Sequence, residues 1–252
     1  MTIPVLMYHA VAAVASPITI HPDTLSAQLS WLHQAGFHTI TFGTLVEHIR
    51  NQRPFPPRTV CLTFDDGFAH LYDHLLPLLQ TYGFVATVFL VSDYCGKSNA
   101  WPGQPPGIPI FPLLDWPHIR EMARYGVEFG AHTVSHPRLD QLPPADARTE
   151  ILHSRATIEE QIGQAVTTFA YPYGRFNPTT QHLVAESFAG ACTTAPGRAG
   201  PHSIPSAIPR ADVFYLQSPP LFRRLDGSLL FSYLKLRRFV SRTASTLLRR
   251  PW

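Results

Sequence analysis

The chain has 252 residues and 45% of them are hydrophobic, which is enough to bury the core of one large domain or two small ones. No segment approaches the roughly 18 consecutive apolar residues of a membrane-spanning helix, and the N-terminus lacks the basic start of a signal peptide. Cys61, Cys95 and Cys192 form no C-x-x-C pair, which favours reduced thiols over a disulfide framework. We therefore expect a cytoplasmic protein.

The formal net charge of +3 averages two unlike parts of the chain. From Arg223 onward the chain has eight Lys and Arg residues and a single Asp, so this part has a net charge of +7 and the remainder has a net charge of −4. We predict a main domain over residues 1–222 and a basic tail over residues 223–252. Residues 229–252 mix apolar side chains with arginines in a helical pattern, which favours contact with the anionic inner face of a membrane. A solvated helix packed on the main domain is the alternative.

Predicted strands and helices alternate along the main domain. The strands are predicted over residues 3–8, 37–41, 59–62, 84–91, 127–131 and 167–170. The helices are predicted over residues 22–35, 45–49, 71–82, 116–125 and 145–162, with a further helix starting at Pro178 after the N-cap Asn177. Glycines end four of these helices, at positions 36, 83, 126 and 163. This order indicates an α/β fold with a parallel sheet, and so many units favour a barrel, distorted or incomplete, over an open sheet.

Two adjacent carboxylates, Asp65 and Asp66, follow the predicted strand over residues 59–62 and come directly after Phe64. Alternation along an extended chain points neighbouring side chains in different directions, so one carboxylate can face a metal while the other faces a water or substrate. An Asp-Asp-Gly sequence is also a common turn, and the two carboxylates alone leave both readings open.

The segment from His132 to His136 places two imidazoles four residues apart, again at the end of a predicted strand. With Asp66 they make three ligands, which leaves room for water as in catalytic zinc sites. Zinc is the expected ion for a mixed Asp/His set, although other divalent metals fit. His70 and His74 have the same spacing, but they lie on a predicted helix beside Asp73, and we interpret them as a solvated helix face.

A third loop, Phe169-Ala170-Tyr171-Pro172-Tyr173-Gly174, leaves the last predicted strand. A turn of this kind can aim a backbone N–H at a developing oxyanion, although an ordinary Pro/Gly turn has the same sequence. Residues 94–116 form a Pro/Gly-rich insertion that holds Trp101 and Trp116. These indoles can stack on sugar rings as part of a specificity loop, or they can cover the core.

Together these motifs resemble those of the polysaccharide deacetylases of carbohydrate esterase family 4, the NodB-homology domain. TFDDG matches the first motif of that family, HTVSH matches the second, and AYPYG is similar to the third, over a resemblance that extends from residue 1 to about 215. The resemblance implies a distorted (β/α) barrel of about seven strands and metal-dependent removal of acetyl groups from a sugar. It implies that Asp65 is the general base and that Asp66, His132 and His136 bind the metal. It also implies an oxyanion contact from the Tyr173 N–H and substrate contacts from Tyr173 and Pro172.

Two departures from the family pattern lead to further predictions. Ala170 stands where the third motif usually has an arginine, and we predict that Arg210 supplies the guanidinium from another strand. The closing L-x-H motif is missing near the C-terminus. Leu6-Met7-Tyr8-His9 resembles that strand displaced to the start, as in circularly permuted members that deacetylate poly-N-acetylglucosamine. His9 is then the predicted general acid, with a core histidine as the alternative.

The sequence therefore favours a metal-dependent hydrolase that removes acetyl groups from N-acetylated sugars of a poly- or oligosaccharide. A catalytically silent carbohydrate-binding relative and an O-acetyl esterase of the xylan type are the alternatives. A nucleic-acid-binding protein ranks last, because the composition of the main domain shows no basic face.

Overall fold

A curved and mostly parallel β-sheet organises the fold, in a computed structural model that describes residues 1–227 and 230–237. The strands are β1 (Ile3–Tyr8), β2 (Ala10–Val11), β3 (Thr19–Ile20), β4 (His38–Ile40), β5 (Thr59–Phe64), β6 (Thr87–Leu90), β7 (Glu128–Ala131), β8 (Thr168–Ala170), β9 (Gly190–Cys192), β10 (Arg198–Ala199) and β11 (Ala211–Asp212). The main sheet has the order β10-β1-β5-β6-β7-β8-β9, with β11 also paired to β1 and β4 to β5. The predicted α/β half-barrel of about seven strands is confirmed.

One segment links the two sides of the curved sheet. Ile208 forms a parallel bridge with Cys192 at the end of β9, and β11 then pairs with β1 in parallel, with Leu6 opposite Ala211. Residues 208–212 therefore run between the last strand of the series and the first. This path brings Arg210, between these two contacts, to the end of the barrel where the parallel strands terminate.

Helices pack against the sheet, and most of them cover its outer face. They are α1 (Pro22–Gln34), α2 (Phe42–Arg50), α3 (His70–His74), α4 (Leu76–Tyr82), α5 (Trp116–Arg124), α6 (Pro144–Ile162), α7 (Pro178–Ser187) and α8 (Pro219–Phe222), and residues 230–237 are also helical. The Asn177 side chain caps α7 in a capping box, as its position before Pro178 predicts. The predicted helix over residues 71–82 is wrong in one respect, because it divides at Leu75 into α3 and α4. Pro77 has no N–H to donate to the preceding turn.

The alternation of side chains along the strands divides the buried apolar residues into two clusters. Leu6, Leu62 and Phe64 belong to the larger one, which includes residues of the outer helices. Val5, Cys61 and Phe89 face the other way and pack with residues of α2 in the smaller one. Burying each large apolar side chain stabilises the fold by about 1.5–3 kcal/mol. The strand ends that present the motifs are therefore held by packing on both faces.

Part of the predicted tail packs on the barrel. Leu225, Leu230, Phe231 and Leu234 are buried within the larger cluster, and the Arg198 guanidinium lies 5.2 Å from the Phe231 ring centroid. The rest of the predicted tail helix, residues 229 and 238–252, lies outside the described residues. None of the helices within those described ranges is both long and apolar enough to cross a bilayer. Cys61, Cys95 and Cys192 are free thiols.

Candidate functional site

The ends of several strands meet around one cavity. His9 follows β1, the two aspartates follow β5, His132 follows β7 and Tyr173 follows β8, so parallel pairing places them at the same end of the sheet. The cavity has a volume of about 160 Å³. Its lining consists of His9, Pro17, Ile18, Asp65, Asp66, Trp101, Gln104, Pro105, Ile108, His132, His136, Tyr173 and Thr194.

Three buried side chains form a cluster that can hold a divalent metal ion. Asp66 Oδ1 lies 3.5 Å from His132 Nε2 and 3.4 Å from His136 Nε2. Potential ligand atoms of these three residues all lie within 4.8 Å of one another, and the described residues contain no second such group. In particular, His70 and His74 are not part of one. The predicted ligands are thus brought together by the fold.

The environment of this cluster fits a cation. Asp66 Oδ1 is buried and has no hydrogen-bond partner, which is costly for a carboxylate unless a cation or donor faces it. Burial raises the pKa of Asp66 well above its ordinary value, and the charge of Asp65 raises it further. Burial also lowers the pKa of His132 and His136, so both imidazoles are neutral and keep a lone pair for a metal.

Asp65 is paired with a buried arginine. Arg210 donates two parallel hydrogen bonds of 2.7 Å, from Nη1 to Asp65 Oδ1 and from Nη2 to Oδ2. Arg210 Nε donates to the carbonyl of Thr193 at 3.1 Å, which fixes the plane of the guanidinium. Burial by itself raises the pKa of Asp65, but the Arg210 charge and hydrogen bonds outweigh it and hold that pKa far below the usual range. Asp65 is therefore ionised at neutral pH.

His9 lies on the other side of Asp65, with its Nε2 3.9 Å from Asp65 Oδ2. Burial lowers the pKa of His9, while the charges of Asp65 and Asp212 raise it and so limit the decrease. Asp212 was missed by the sequence analysis. Its signal was available, because Asp212 is two residues from Arg210 in extended chain and such neighbours face the same side.

The loop after β8 places Tyr173 in the cavity lining in a left-handed conformation, with φ 59°. The Tyr173 ring centroid lies 4.6 Å from that of His136, and the Arg138 guanidinium lies 5.6 Å from the Tyr173 ring. Pro172 is buried and is not part of the cavity lining. The roles predicted for the Tyr173 N–H and for Pro172 stay predictions.

The two insertion tryptophans occupy different positions. Trp101 lines the cavity but is only 3% exposed, because its ring lies against His136 with centroids 4.4 Å apart. This burial agrees with the alternative interpretation, in which Trp101 covers buried side chains, and its contact with a sugar ring stays a prediction. Trp116 is the first residue of α5 and packs against the larger core cluster, outside the cavity lining. This position agrees with the alternative interpretation, in which the tryptophan covers the core.

Glu150, on α6, is a further residue that the sequence analysis missed. Its Oε2 accepts hydrogen bonds from the backbone N–H groups of Val134 and Ser135, both at 2.9 Å. Its Oε1 accepts one from the Ser135 hydroxyl at 2.6 Å. Glu150 thus fixes the loop between the two histidine ligands. No local pattern marks this residue, because its role depends on where the loop meets the helix.

The fold and the site together place three candidate metal ligands and an ionised carboxylate at the carboxyl ends of the strands of a half-barrel. The sequence model of the family described as "Polysaccharide deacetylase" matches residues 52–188, just over half of the chain. The chain therefore belongs to the polysaccharide deacetylase family.

Relatives and solved structures agree with this assignment. YxkH of Bacillus subtilis (strain 168), whose name places it with the polysaccharide deacetylases, is 27% identical over 78% of this chain and 66% of its own length. The poly-beta-1,6-N-acetyl-D-glucosamine N-deacetylase of Staphylococcus aureus (strain MSSA476) is 25% identical over 63% of this chain and 55% of its own length. The chain thus spans less than two thirds of each of these relatives.

Two solved structures match over most of both chains. The structure of IcaB from Ammonifex degensii has a TM-score of 0.75 at 25% identity and covers 89% of this chain and 95% of its own. The Streptococcus pyogenes deacetylase PplD in complex with acetate has a TM-score of 0.73 at 27% identity, covering 84% and 92%. These similarities extend the family assignment to nearly the whole described barrel.

Proposed function

We propose that the protein is a metal-dependent deacetylase that removes acetyl groups from N-acetylated sugars of a poly- or oligosaccharide and releases acetate. The observation that carries the proposal is the cluster of Asp66, His132 and His136 beside the arginine-paired carboxylate of Asp65, in one cavity. The name of the Staphylococcus aureus relative supports the substrate class.

Asp66, His132 and His136 would hold the ion, and zinc is the expected one because carboxylate and imidazole ligands suit it. When bound, a divalent ion supplies Lewis acidity that polarises the acetyl carbonyl and makes a water molecule more acidic. Asp65 acts as the general base that takes the proton of the attacking water. The Arg210 pair keeps Asp65 ionised and holds it in one orientation for that transfer.

The leaving amine needs a proton before it departs, and His9 is placed to donate it. The His9 imidazole lies beside Asp65 and within the field of Asp212, which favours the protonated form against the effect of burial. The Tyr173 N–H is the proposed donor to the oxyanion. Ile18, Pro105 and Ile108 give the cavity an apolar wall against which the acetylated sugar can pack.

Acetate release from N-acetylglucosamine oligomers tests this function. We expect activity that a chelator abolishes and added zinc restores. We also expect a loss of about three orders of magnitude or more in Asp66→Ala, because a metal ion supplies several kcal/mol of transition-state stabilisation and each ~1.36 kcal/mol is tenfold in rate. His74→Ala is the matched control, because it removes a histidine of the same i,i+4 spacing outside the cluster. Full turnover in the Asp66→Ala protein would contradict the proposal.

The same assay separates the alternatives. Release of acetate from acetylated xylan but not from N-acetylglucosamine oligomers would identify an O-acetyl esterase. Binding of these glycans with no acetate release under any metal loading would identify a carbohydrate-binding relative.

We also propose peripheral contact with the cytoplasmic face of a membrane through the basic tail. Supporting it, Tyr233 and Leu236 are exposed beside Lys235 and Arg237 on the helical segment that the structure describes. Removal of residues 238–252 spares the buried Leu230, so it can be compared with the full chain in soluble and membrane fractions of lysed cells. Equal distribution of both proteins, and of a Lys235→Glu/Arg237→Glu variant, would reject the contact.

A further inference from the structure

The two histidine ligands are held in different ways. His132 Nδ1 donates to the carbonyl of Ala170 at 2.7 Å, which leaves Nε2 free to face Asp66. This is the usual arrangement, in which the second ring nitrogen of a ligand is fixed by an acceptor. His136 Nδ1 is buried and has no hydrogen-bond partner. The His136 ring thus lacks the acceptor from another strand that holds His132, and contacts with neighbouring side chains contribute more to its orientation.

Two aromatic rings lie against His136. The Trp101 centroid is 4.4 Å away with an interplanar angle of 34°, and the Tyr173 centroid is 4.6 Å away at 65°. Contacts at these separations are favourable ring packing. Because Tyr173 belongs to the third motif and Trp101 to the insertion, two separate segments meet at one imidazole.

Trp101 is itself held by packing. It is only 3% exposed, it meets Tyr94 in a T-shaped contact at 5.6 Å, and its side chain interacts with that of Tyr173. The contact with His136 is the shorter of its two ring contacts.

The insertion presents Trp101 from a fixed loop. The buried Asn99 side chain donates to the Pro109 carbonyl at 3.0 Å and accepts from the Phe111 N–H at 2.7 Å. The Leu114 N–H donates to the carbonyl of Gly67 at 2.8 Å, which ties the loop to the segment after Asp66. The loop is therefore anchored at both sides of Trp101.

The same loop lines the cavity. Gln104, Pro105 and Ile108 belong to its lining, and the Gln104 N–H donates to the Trp101 carbonyl at 3.2 Å. One residue of the loop thus touches a metal ligand while residues only three to seven positions further along the chain face the substrate space. A ligand in the cavity would therefore contact the same loop that packs on His136.

We propose that Trp101 is a positioning residue for His136, and that the insertion loop thereby couples occupation of the cavity to metal affinity. This inference rests on the proposed metal-dependent function. Coupling between two binding events is reciprocal, so a glycan that tightens the loop tightens zinc binding by the same factor. Loss of the indole weakens both the resting affinity and the coupling.

Calorimetric titration of the metal-free protein with zinc tests the positioning role. We expect Trp101→Leu to weaken zinc binding by about 10–100-fold, the range for losing a group that orients a metal ligand. Trp101→Phe keeps a ring against His136 and retains most of the affinity. Trp116→Leu is the matched control, since it removes a tryptophan at the other end of the same insertion and leaves the affinity unchanged.

The outcomes separate this inference from the proposed function. Failure of the unaltered protein to bind zinc rejects the proposed function. Zinc binding by Trp101→Leu as tight as that of the unaltered protein rejects the positioning role alone, as does an equal loss in Trp101→Phe or in Trp116→Leu. Trp101→Met replaces Trp101→Leu if the latter does not fold by near-ultraviolet circular dichroism.

A second titration tests the coupling. Zinc affinity is measured with and without a saturating glucosamine oligomer, the product of the proposed reaction. We expect the oligomer to change zinc affinity in the unaltered protein and to change it less in Trp101→Leu. An equal change in both proteins rejects the coupling.

Discussion

Both ends of the barrel contain turns with a left-handed backbone conformation, but the residues that adopt it differ between the two ends. At the end that holds the cavity, four residues other than glycine adopt positive φ: Asp66, Thr133, His136 and Tyr173, between 59° and 71°. At the opposite end, glycine adopts positive φ in the turns at positions 36, 83, 126 and 163, and Gln52 and Arg58 also adopt it in the loop before β5. A left-handed conformation costs an L-residue about 1–2 kcal/mol. At the site end, this cost falls on Asp66 and His136, whose side chains glycine could not replace in the cluster.

The two ends also bury carboxylates with different partners. Asp65 meets the full charge of Arg210 at the site end. Glu128, at the start of β7, instead accepts from neutral donors, the Gly43 N–H at 2.9 Å and the Thr168 hydroxyl at 3.0 Å. Gly43 lies in the first turn of α2, where the helix dipole favours a negative charge. The buried carboxylate at the site end is thus stabilised by a charged partner, whereas Glu128 at the other end is stabilised by neutral hydrogen-bond donors and a helix dipole.

The largest effect is expected from Arg210→Met. It leaves the buried Asp65 without a partner, and breaking such a pair destabilises a protein by about 3–5 kcal/mol. We expect this loss in the free energy of unfolding measured with urea, together with loss of acetate release.

The double variant Asp65→Asn/Arg210→Met separates stability from catalysis. Removing both charges should restore much of the stability, because no ion is left unpaired, while acetate release stays absent. An Arg210→Met protein as stable as the unaltered one would remove the distinction between the two ends.

Some of these site residues could be predicted from the sequence and others could not. The strand ends, the Asp-Asp pair and the two histidines are local patterns, and glycines mark the ends of several helices, so the fold and the metal cluster were predictable. Arg210 lies 145 residues from Asp65 and was found only through a departure from a family motif. Nothing local marks Glu150 or the contact of Trp101 with His136, since both depend on the paths of loops.

A smaller effect is expected from Glu150→Ala. It removes three hydrogen bonds to the loop between the histidines, and a bond to a charged group is worth about 1.5–3 kcal/mol. Because these bonds are only part-buried, the freed groups can bond to water, and the net loss should stay below that of Arg210→Met. We expect lower stability and weaker zinc binding. Glu150→Gln keeps one carbonyl oxygen for the two N–H groups and should recover part of both, whereas Ser135→Ala loses one bond only. Zinc affinity unchanged in Glu150→Ala would show that the loop does not need this residue.

At the opposite end, Gly163→Ala tests the role of glycine directly. Gly163 has φ 67° and no atom within 4 Å of an added Cβ, so only the backbone term of about 1–2 kcal/mol applies. Gly163→Asn should cost less, because asparagine tolerates this conformation better. Acetate release at a temperature well below unfolding should not change. Equal stability of Gly163→Ala and the unaltered protein in urea would contradict the argument.

The smallest effect concerns pH and Glu128. Burial raises the pKa of Glu128 above its ordinary value of 4.5, and hydrogen bonds from Thr41, Gly43 and Thr168 only partly offset this. The folded protein then binds this proton more tightly than the unfolded chain does. Stability from this group is complete below pH 4.5 and falls as pH rises through the higher folded pKa.

Glu128→Gln removes this titration. As pH rises from 4.5 to neutrality, the unfolding free energy of the unaltered protein should therefore fall relative to that of Glu128→Gln. All other groups titrate in both proteins, so the difference isolates Glu128. A constant difference across that range would mean that the neutral donors around Glu128 fully compensate its burial. A buried carboxylate in this barrel would then not need a charged partner.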